Sequence, residues 1–180
     1  MTAIKIATNP VLYRTKKIGE QASLAGAAKG KLHCAAGTIA LATTNVDEVG
    51  DQVVLCEVPG NAVILSIRLA ADDMDSNATP TLTWNVGIVK DPVWVSSTTV
   101  TTTTVDLDCY ATSITLGQAA TALTEYMQEA RDINLLGQSV ALDGGESAHS
   151  DPRFIAITAD GAAATAVAGD LSYIVQFIVP

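Results

Sequence analysis

The acidic stretch that begins at Asp72 holds the side chains best suited to bind a metal ion. Asp73, Asp75 and Asn77 fall at positions 1, 3 and 5 of a calcium-binding loop, where oxygen ligands are required. The pattern then fails, because Ala78 stands where the loop needs glycine and Trp84 stands where it needs a bidentate glutamate. We therefore expect an Asx-rich turn between two strands, with no metal and no cofactor. The three side chains remain the only candidates for metal ligands.

A second polar stretch, 143–152, brings serine, histidine and acidic residues together in sequence. It contains His149, and His33 is the only other histidine in the chain. A nucleophile needs a base that a third group orients, and a loop rich in glycine, serine and aspartate gives no rigid support for that geometry. A jelly-roll enzyme of the cupin type would need a histidine cluster, which two distant histidines cannot supply. We expect a solvated loop in a protein that is not an enzyme and has no small-molecule substrate.

Basic side chains are concentrated at the N-terminus. Residues 1–31 contain one acid, Glu20, and six of the ten basic residues, which are Lys5, Arg14, Lys16, Lys17, Lys29 and Lys31. Residues 32–180 contain four basic and eighteen acidic residues, a net charge of −14. This polarity predicts a basic extended N-terminal arm over 1–31 that binds an acidic partner, and a folded body over 32–180. Nucleic acid is disfavoured as the partner, because the body repels polyanions and the arm has one aromatic residue, Tyr13.

The composition indicates a surface that other subunits cover. Charged residues make up 16% of the chain and hydrophobic residues 48%, and the mean hydropathy is +0.31. Much of the apolar content is small, with 28 alanines beside 21 threonines, which suits closely packed sheets. No apolar stretch is long enough to span a bilayer, so we expect no membrane contact. The widely spaced Cys34, Cys56 and Cys109 favour reduced thiols in a protein made in a cytoplasm.

Apolar residues alternate with polar ones along several short segments. In 81–88 the alternation places Leu82, Trp84, Val86 and Ile88 on one face of a strand. In 62–70 the same rule places Val63, Leu65, Ile67 and Leu69 toward the core. Further strand-like runs are 52–58, 93–95, 154–159 and 171–179, with weaker candidates at 35–42 and 100–107.

About eight strands with short, turn-rich connections predict an all-β fold, an antiparallel β-sandwich or jelly roll. We expect one short helix over 118–131, because apolar residues recur there at helical spacing: Ala119, Leu123, Tyr126, Met127 and Ala130. This helix should cover an open end of the sandwich.

Two segments of the body carry a family resemblance. They are 57–82, EVPGNAVILSIRLAADDMDSNATPTL, and 154–166 leading into the closing strand, beginning FIAIT. Both are similar to segments of small virion proteins of tailed bacteriophages, and within that group the chain resembles head decoration, or cement, proteins. The resemblance implies a homotrimer on the capsid surface of the virion that binds the major capsid protein. It also implies an arm that fastens neighbouring capsid subunits, no active site, and synthesis in the cytoplasm of the bacterial host.

Two other functional hypotheses remain open. The first is a carbohydrate-binding or receptor-binding β-module of a phage fibre or spike, in which exposed aromatic rings stack on sugars. Trp94 and Tyr110 are its candidate residues. The second is another structural component of the phage head or tail.

Overall fold

The computed structural model describes residues 31–94, 100–127, 138–143, 145 and 151–179. The segment 1–30 lies outside these ranges, and with it five of the six basic residues predicted for the arm: Lys5, Arg14, Lys16, Lys17 and Lys29. The sixth, Lys31, is the first residue of a strand. The residues around His149 also lie outside the described ranges.

Strands dominate the described part of the chain. They are β1 (Lys31–Leu41), β2 (Gln52–Val58), β3 (Val63–Ala71), β4 (Thr83–Trp94), β5 (Val100–Ile114), β6 (Thr121–Glu125), β7 (Arg153–Gly161) and β8 (Gly169–Val179). A 3-10 turn at Thr43–Asn45 and the four-residue helix α1 (Val140–Asp143) complete the described elements. In the part of the chain described, no helix is long and apolar enough to cross a membrane.

The strands pair in a nested, antiparallel order. β1 pairs with β8, β2 with β7, β3 with β6 and β4 with β5. β3 also pairs with β8, and β4 with β7, which gives a first sheet β1-β8-β3-β6 and a second sheet β2-β7-β4-β5. This arrangement is the eight-stranded jelly roll, so the predicted all-β sandwich is confirmed.

The core lies between the two sheets and follows the predicted alternation. Leu82, Trp84, Val86 and Ile88 are all fully buried. On the facing sheet, every second residue of β8 from Leu171 to Phe177 is buried. Residues from both sheets form one continuous apolar cluster, as expected when two sheets pack face to face.

The helix predicted over 118–131 is wrong for the residues that the structure describes there. Thr121–Glu125 form β6, which pairs with the edge of the first sheet along β3. Leu123, placed on the apolar stripe of the predicted helix, is exposed. Pairing with β3 gives the backbone of this segment hydrogen-bond partners, and that tertiary contact outweighs the local spacing. Residues 128–131, including Ala130, lie outside the described ranges.

Two residues of β3 predicted to face the core do not do so: Leu65 points outward, and Val63 pairs with Ile178 on the outer face of the first sheet. The register of β3 against β8 shifts between Ile64 and Ser66, which leaves Leu65 as the extra residue of a β-bulge. Leu65 is 49% exposed, whereas Ile64 is buried in its place. A bulge reverses the alternation on one side of itself, which periodicity in the sequence cannot reveal.

The two ends of the sandwich differ. The connections 42–51, 72–82, 115–120 and 162–168 lie together at one end, which we call the loop end; Met74 N–H, for example, donates to Gly117 O at 2.8 Å. At the opposite end, Lys31 pairs with Val179, and Val63 pairs with Ile178. The chain therefore enters β1 at this opposite end, which we call the arm end.

Candidate functional site

The Asp75 carboxylate holds the loop end together. Its residue is only 1% exposed, and five backbone N–H groups donate to its two oxygens. Oδ2 accepts from Thr81 at 2.7 Å, Ala164 at 3.0 Å and Leu82 at 3.1 Å, and Oδ1 accepts from Thr165 at 2.9 Å and Asn77 at 3.4 Å. The donors come from the β3–β4 and β7–β8 connections, so this one side chain joins two loops far apart in sequence.

The electrostatics of Asp75 follow from these donors. Burial alone would raise the pKa of its carboxyl group, but the backbone N–H groups of Thr165, Thr81, Ala164 and Leu82 stabilise the charged form and lower the pKa to about 2. A buried carboxylate with this many donors is a structural anchor.

The other two candidate metal ligands are also engaged in loop hydrogen bonds. Asp73 Oδ1 accepts from Asp75 N–H at 3.2 Å, and Asn77 Oδ1 accepts from Thr79 N–H at 2.9 Å. Both bonds span two residues, the pattern of an Asx-turn. Asn77 Nδ2 donates to Thr165 Oγ1 at 3.1 Å. Over the described ranges, no three His, Cys, Asp or Glu side chains are grouped to hold a metal ion.

A third connection packs into the same end. Trp84 Nε1 donates to Leu116 O at 3.0 Å, and Gln118 Nε2 donates to Leu82 O at 2.8 Å. Gly117 has φ +84°, and a Cβ at this position would stand 2.6 Å from Met74 Cε. Only glycine meets both conditions without strain. The loop end is therefore a rigid, internally bonded surface.

The remaining side chains that could bind a ligand or take part in catalysis are not grouped into a reactive site within the described part of the chain. Tyr110 is 0% exposed and belongs to the main core, so it cannot stack on a sugar. The Trp94 side chain lies outside what the structure describes. His33 stacks on Phe177 with ring centroids 5.3 Å apart, a cross-strand contact. Burial raises the pKa of the Cys56 thiol, which disfavours the reactive thiolate.

The outer face of the first sheet is broad and nearly uncharged. Along β1 and β8 it presents Leu32, Cys34, Ala36, Thr38, Ala40, Ser172, Ile174, Gln176 and Ile178. Leu65 adds an exposed apolar side chain from β3. Among the side chains described on this sheet, the charged ones are Arg68, Glu125 and Asp170. A surface of this kind suits contact with another protein subunit.

The outer face of the second sheet carries an apolar strip. Val54, Val89, Phe154 and Ala156 form a cluster separate from the main core, with Leu107 partly buried against it. We call these five residues the outer strip. Its four central members are between 0% (Val89) and 6% (Phe154) exposed, although they point away from the other sheet. The uninterrupted apolar runs of β2 and β7 are the sequence signal for this two-sided burial.

Comparison with solved structures identifies the fold. A chain in the capsid of Ralstonia phage GP4 matches with a TM-score of 0.62 and 24% identity, over 86% of this chain and 88% of that chain. The two chains share a fold. A chain in the capsid asymmetric unit of cyanophage Pam1 matches with a TM-score of 0.54 and 24% identity, over 84% of this chain and 87% of that chain. No protein-family model and no curated protein matches the sequence.

Proposed function

We propose that this protein is a decoration, or cement, protein of a tailed-phage head that binds the outer surface of the major capsid protein lattice. The observation that carries the proposal is the extent of the structural match: 86% of this chain against 88% of a chain in a phage capsid. Similarity over most of both chains supports a structural role in a phage head.

The surface of the body supports self-association into a homotrimer. Copies with a net charge of −14 over residues 32–180 repel one another, so they associate best where charge is sparse. The outer face of the first sheet meets this condition and exposes Leu32 and Leu65. We assign the trimer contact to this face.

The basic arm supplies the contact with the capsid. Lys5, Arg14, Lys16, Lys17, Lys29 and Lys31 give it a charge opposite to that of the body. Such an arm can pair with acidic surfaces of neighbouring capsid subunits, and this contact weakens with salt. The function is structural, so it involves no catalysis, cofactor, nucleic acid or membrane. The protein is made in the host cytoplasm and resides on the capsid surface.

A carbohydrate-binding module is less well supported. Of its two candidate aromatic residues, Tyr110 is fully buried. A glycan-binding face needs exposed rings to stack on sugars.

Loading onto capsids tests the proposal. Purified protein should bind heads of the parent phage that lack it, and native mass spectrometry should show a trimer. A chain without residues 1–30 should remain a trimer but load at least tenfold less. Replacement of Lys5, Arg14, Lys16, Lys17 and Lys29 by glutamine should reduce loading in the same direction, and the difference from the wild type should shrink as salt rises, because salt also screens the wild-type contact.

The control keeps the length and charge of the arm. It replaces five alanines of the same segment, Ala3, Ala7, Ala22, Ala25 and Ala27, by glutamine and should load normally. Full loading by the chain without residues 1–30 would exclude a role for the arm. Failure of the intact, folded protein to bind heads would refute the decoration function.

A further inference from the structure

The burial of the outer strip is not explained by the described elements. Both described sheets place their strands side by side, and no described strand or helix packs over the outer face of the second sheet. Among the described side chains, Leu107, from β5 of the same sheet, is the one packed against the four buried members of the strip. Sheets with two apolar faces are normally covered on both. The strip therefore has no cover among the described elements.

We propose that the N-terminal segment, residues 1–30, lies over the outer strip in the free subunit. This inference does not depend on the capsid function.

The chemistry of the segment matches the face. Its apolar residues Ile4, Ile6, Val11, Leu12 and Tyr13 stand beside basic ones, Lys5, Arg14, Lys16 and Lys17. On the face, Glu57 pairs with Phe154 near the arm end, and the exposed Asp160 follows Thr158 and Ala159 toward the loop end. An apolar strip with a carboxylate near each end is complementary to an apolar segment with flanking cations.

The geometry allows the contact. The segment joins β1 at Lys31, and 30 extended residues reach up to about 100 Å. The outer face of β7 from Phe154 to Thr158, which includes the strip, is about 15 Å long. Only a fraction of the segment is needed to cover it.

The long β6–β7 connection is a weaker candidate for the cover. Its described part, α1, is held at the arm end, where Val140 N–H donates to Ala62 O at 2.7 Å. The Val140 side chain is fully buried in the main core. The described helix α1 is therefore anchored in the space between the sheets.

The proposal is compatible with an arm that binds the capsid. Exchange of one contact for an equivalent contact on a neighbour costs little, as domain swapping shows. The segment can be stored on its own subunit and transferred during assembly.

Photo-crosslinking of the isolated full-length protein tests the proposal. Benzoylphenylalanine replaces Phe154, with Leu107 as a second site at the border of the strip in case the first variant does not fold. The matched control places it at Leu65, on the outer face of the other sheet. We expect the first two sites to crosslink to residues 1–30 within one chain, and the Leu65 site not to do so.

Mixed labelled and unlabelled chains show which copy is crosslinked. Crosslinks between copies, or crosslinks only to residues 95–99 or 128–150, would overturn the proposal. Because the readout uses isolated protein, it is separate from failure to load onto capsids.

Removal of the segment provides an independent measurement. Without residues 1–30, the exposed strip should increase the fluorescence of a hydrophobic dye at least threefold. Adding Phe154→Thr to this shortened chain should abolish most of the increase in dye fluorescence. This result would separate exposure of the strip from unfolding. Unchanged dye fluorescence in the shortened chain would also overturn the proposal.

Discussion

At the scale of single residues, Asp75 shows how one buried charge can organise several loops. Its carboxylate accepts hydrogen bonds from backbone N–H groups in the loops that have no partner in a neighbouring strand. Charged acceptors form stronger hydrogen bonds than neutral ones, and removal of the acceptor leaves buried donors without a partner. The stability of the loop end therefore depends strongly on this side chain.

We predict that Asp75→Asn destabilises the protein by about 2–4 kcal/mol. The amide has one acceptor oxygen, and its NH₂ group faces N–H donors, which is unfavourable. Asp73→Asn is the matched control, because Asp73 is exposed and accepts one local hydrogen bond. Urea unfolding at neutral pH measures both variants. Equal and small effects would show that the donors of Asp75 have other acceptors.

The lowered pKa of Asp75 also predicts acid sensitivity. The pKa is about 2 in the folded protein against an ordinary value of 3.8, so the charged form is favoured by folding. The resulting stabilisation, about 2 kcal/mol, is present above the unfolded pKa and is lost as the pH falls toward 2. The free energy of unfolding of the wild type should fall over this range more steeply than that of Asp75→Asn. Parallel pH profiles would contradict the assignment.

At the scale of elements, the bulge in β3 is stabilised by the strand beside it. Glu125, the last residue of β6, accepts a hydrogen bond from Ile67 N–H at 2.9 Å through Oε1, and Oε2 accepts one from Ser66 Oγ. Tyr126 N–H donates to Ile67 O at 2.8 Å. The edge strand thus supplies partners to the backbone that the bulge displaces.

We predict that Glu125→Ala destabilises the protein by about 1 kcal/mol, because Ile67 N–H loses its acceptor. A double-mutant cycle with Ser66→Ala should show coupling between the two side chains. Glu48→Ala removes an equivalent charge from the exposed β1–β2 connection and should cost less than about 0.5 kcal/mol. Chemical denaturation gives all the values. A Glu125→Ala effect no larger than that of Glu48→Ala would contradict this role.

At the scale of the whole molecule, the two sheets have different outer surfaces. The first sheet presents a nearly uncharged outer face with exposed apolar side chains, and the second carries the buried outer strip. A strongly acidic body limits self-association to surfaces with little charge. The difference between the faces therefore bears on how copies assemble.

We predict that Leu65→Asp converts the proposed trimer to a monomer at micromolar concentration, because it places a charge in the proposed contact. Leu65 is 49% exposed, so the folded monomer should tolerate the change. The matched control is Val49→Asp at the loop end, where the side chain is 61% exposed, and it should remain trimeric. Native mass spectrometry measures the oligomeric state of both variants. A trimeric Leu65→Asp protein would exclude this face as the contact.

Fold class and most strand positions could be predicted from the amino-acid sequence. Alternation from Leu82 to Ile88 is a local property, because neighbouring residues in a strand point to opposite faces whatever the partner strand is. Five of its strand segments, 52–58, 62–70, 81–88, 154–159 and 171–179, correspond to strands β2, β3, β4, β7 and β8. The charge polarity between residues 1–31 and the body is likewise fixed by composition alone.

Features that depend on distant partners could not be predicted from the sequence and became visible in the folded chain. Asp75 resembled a metal ligand in sequence, but its donors include Thr165, 90 residues away. Thr121–Glu125 became a strand because the edge of β3 was available, and Leu65 turned outward because the register against β8 shifts beside it. Local periodicity reports on near neighbours, whereas hydrogen-bond partners and register are set by which strands meet in the folded chain.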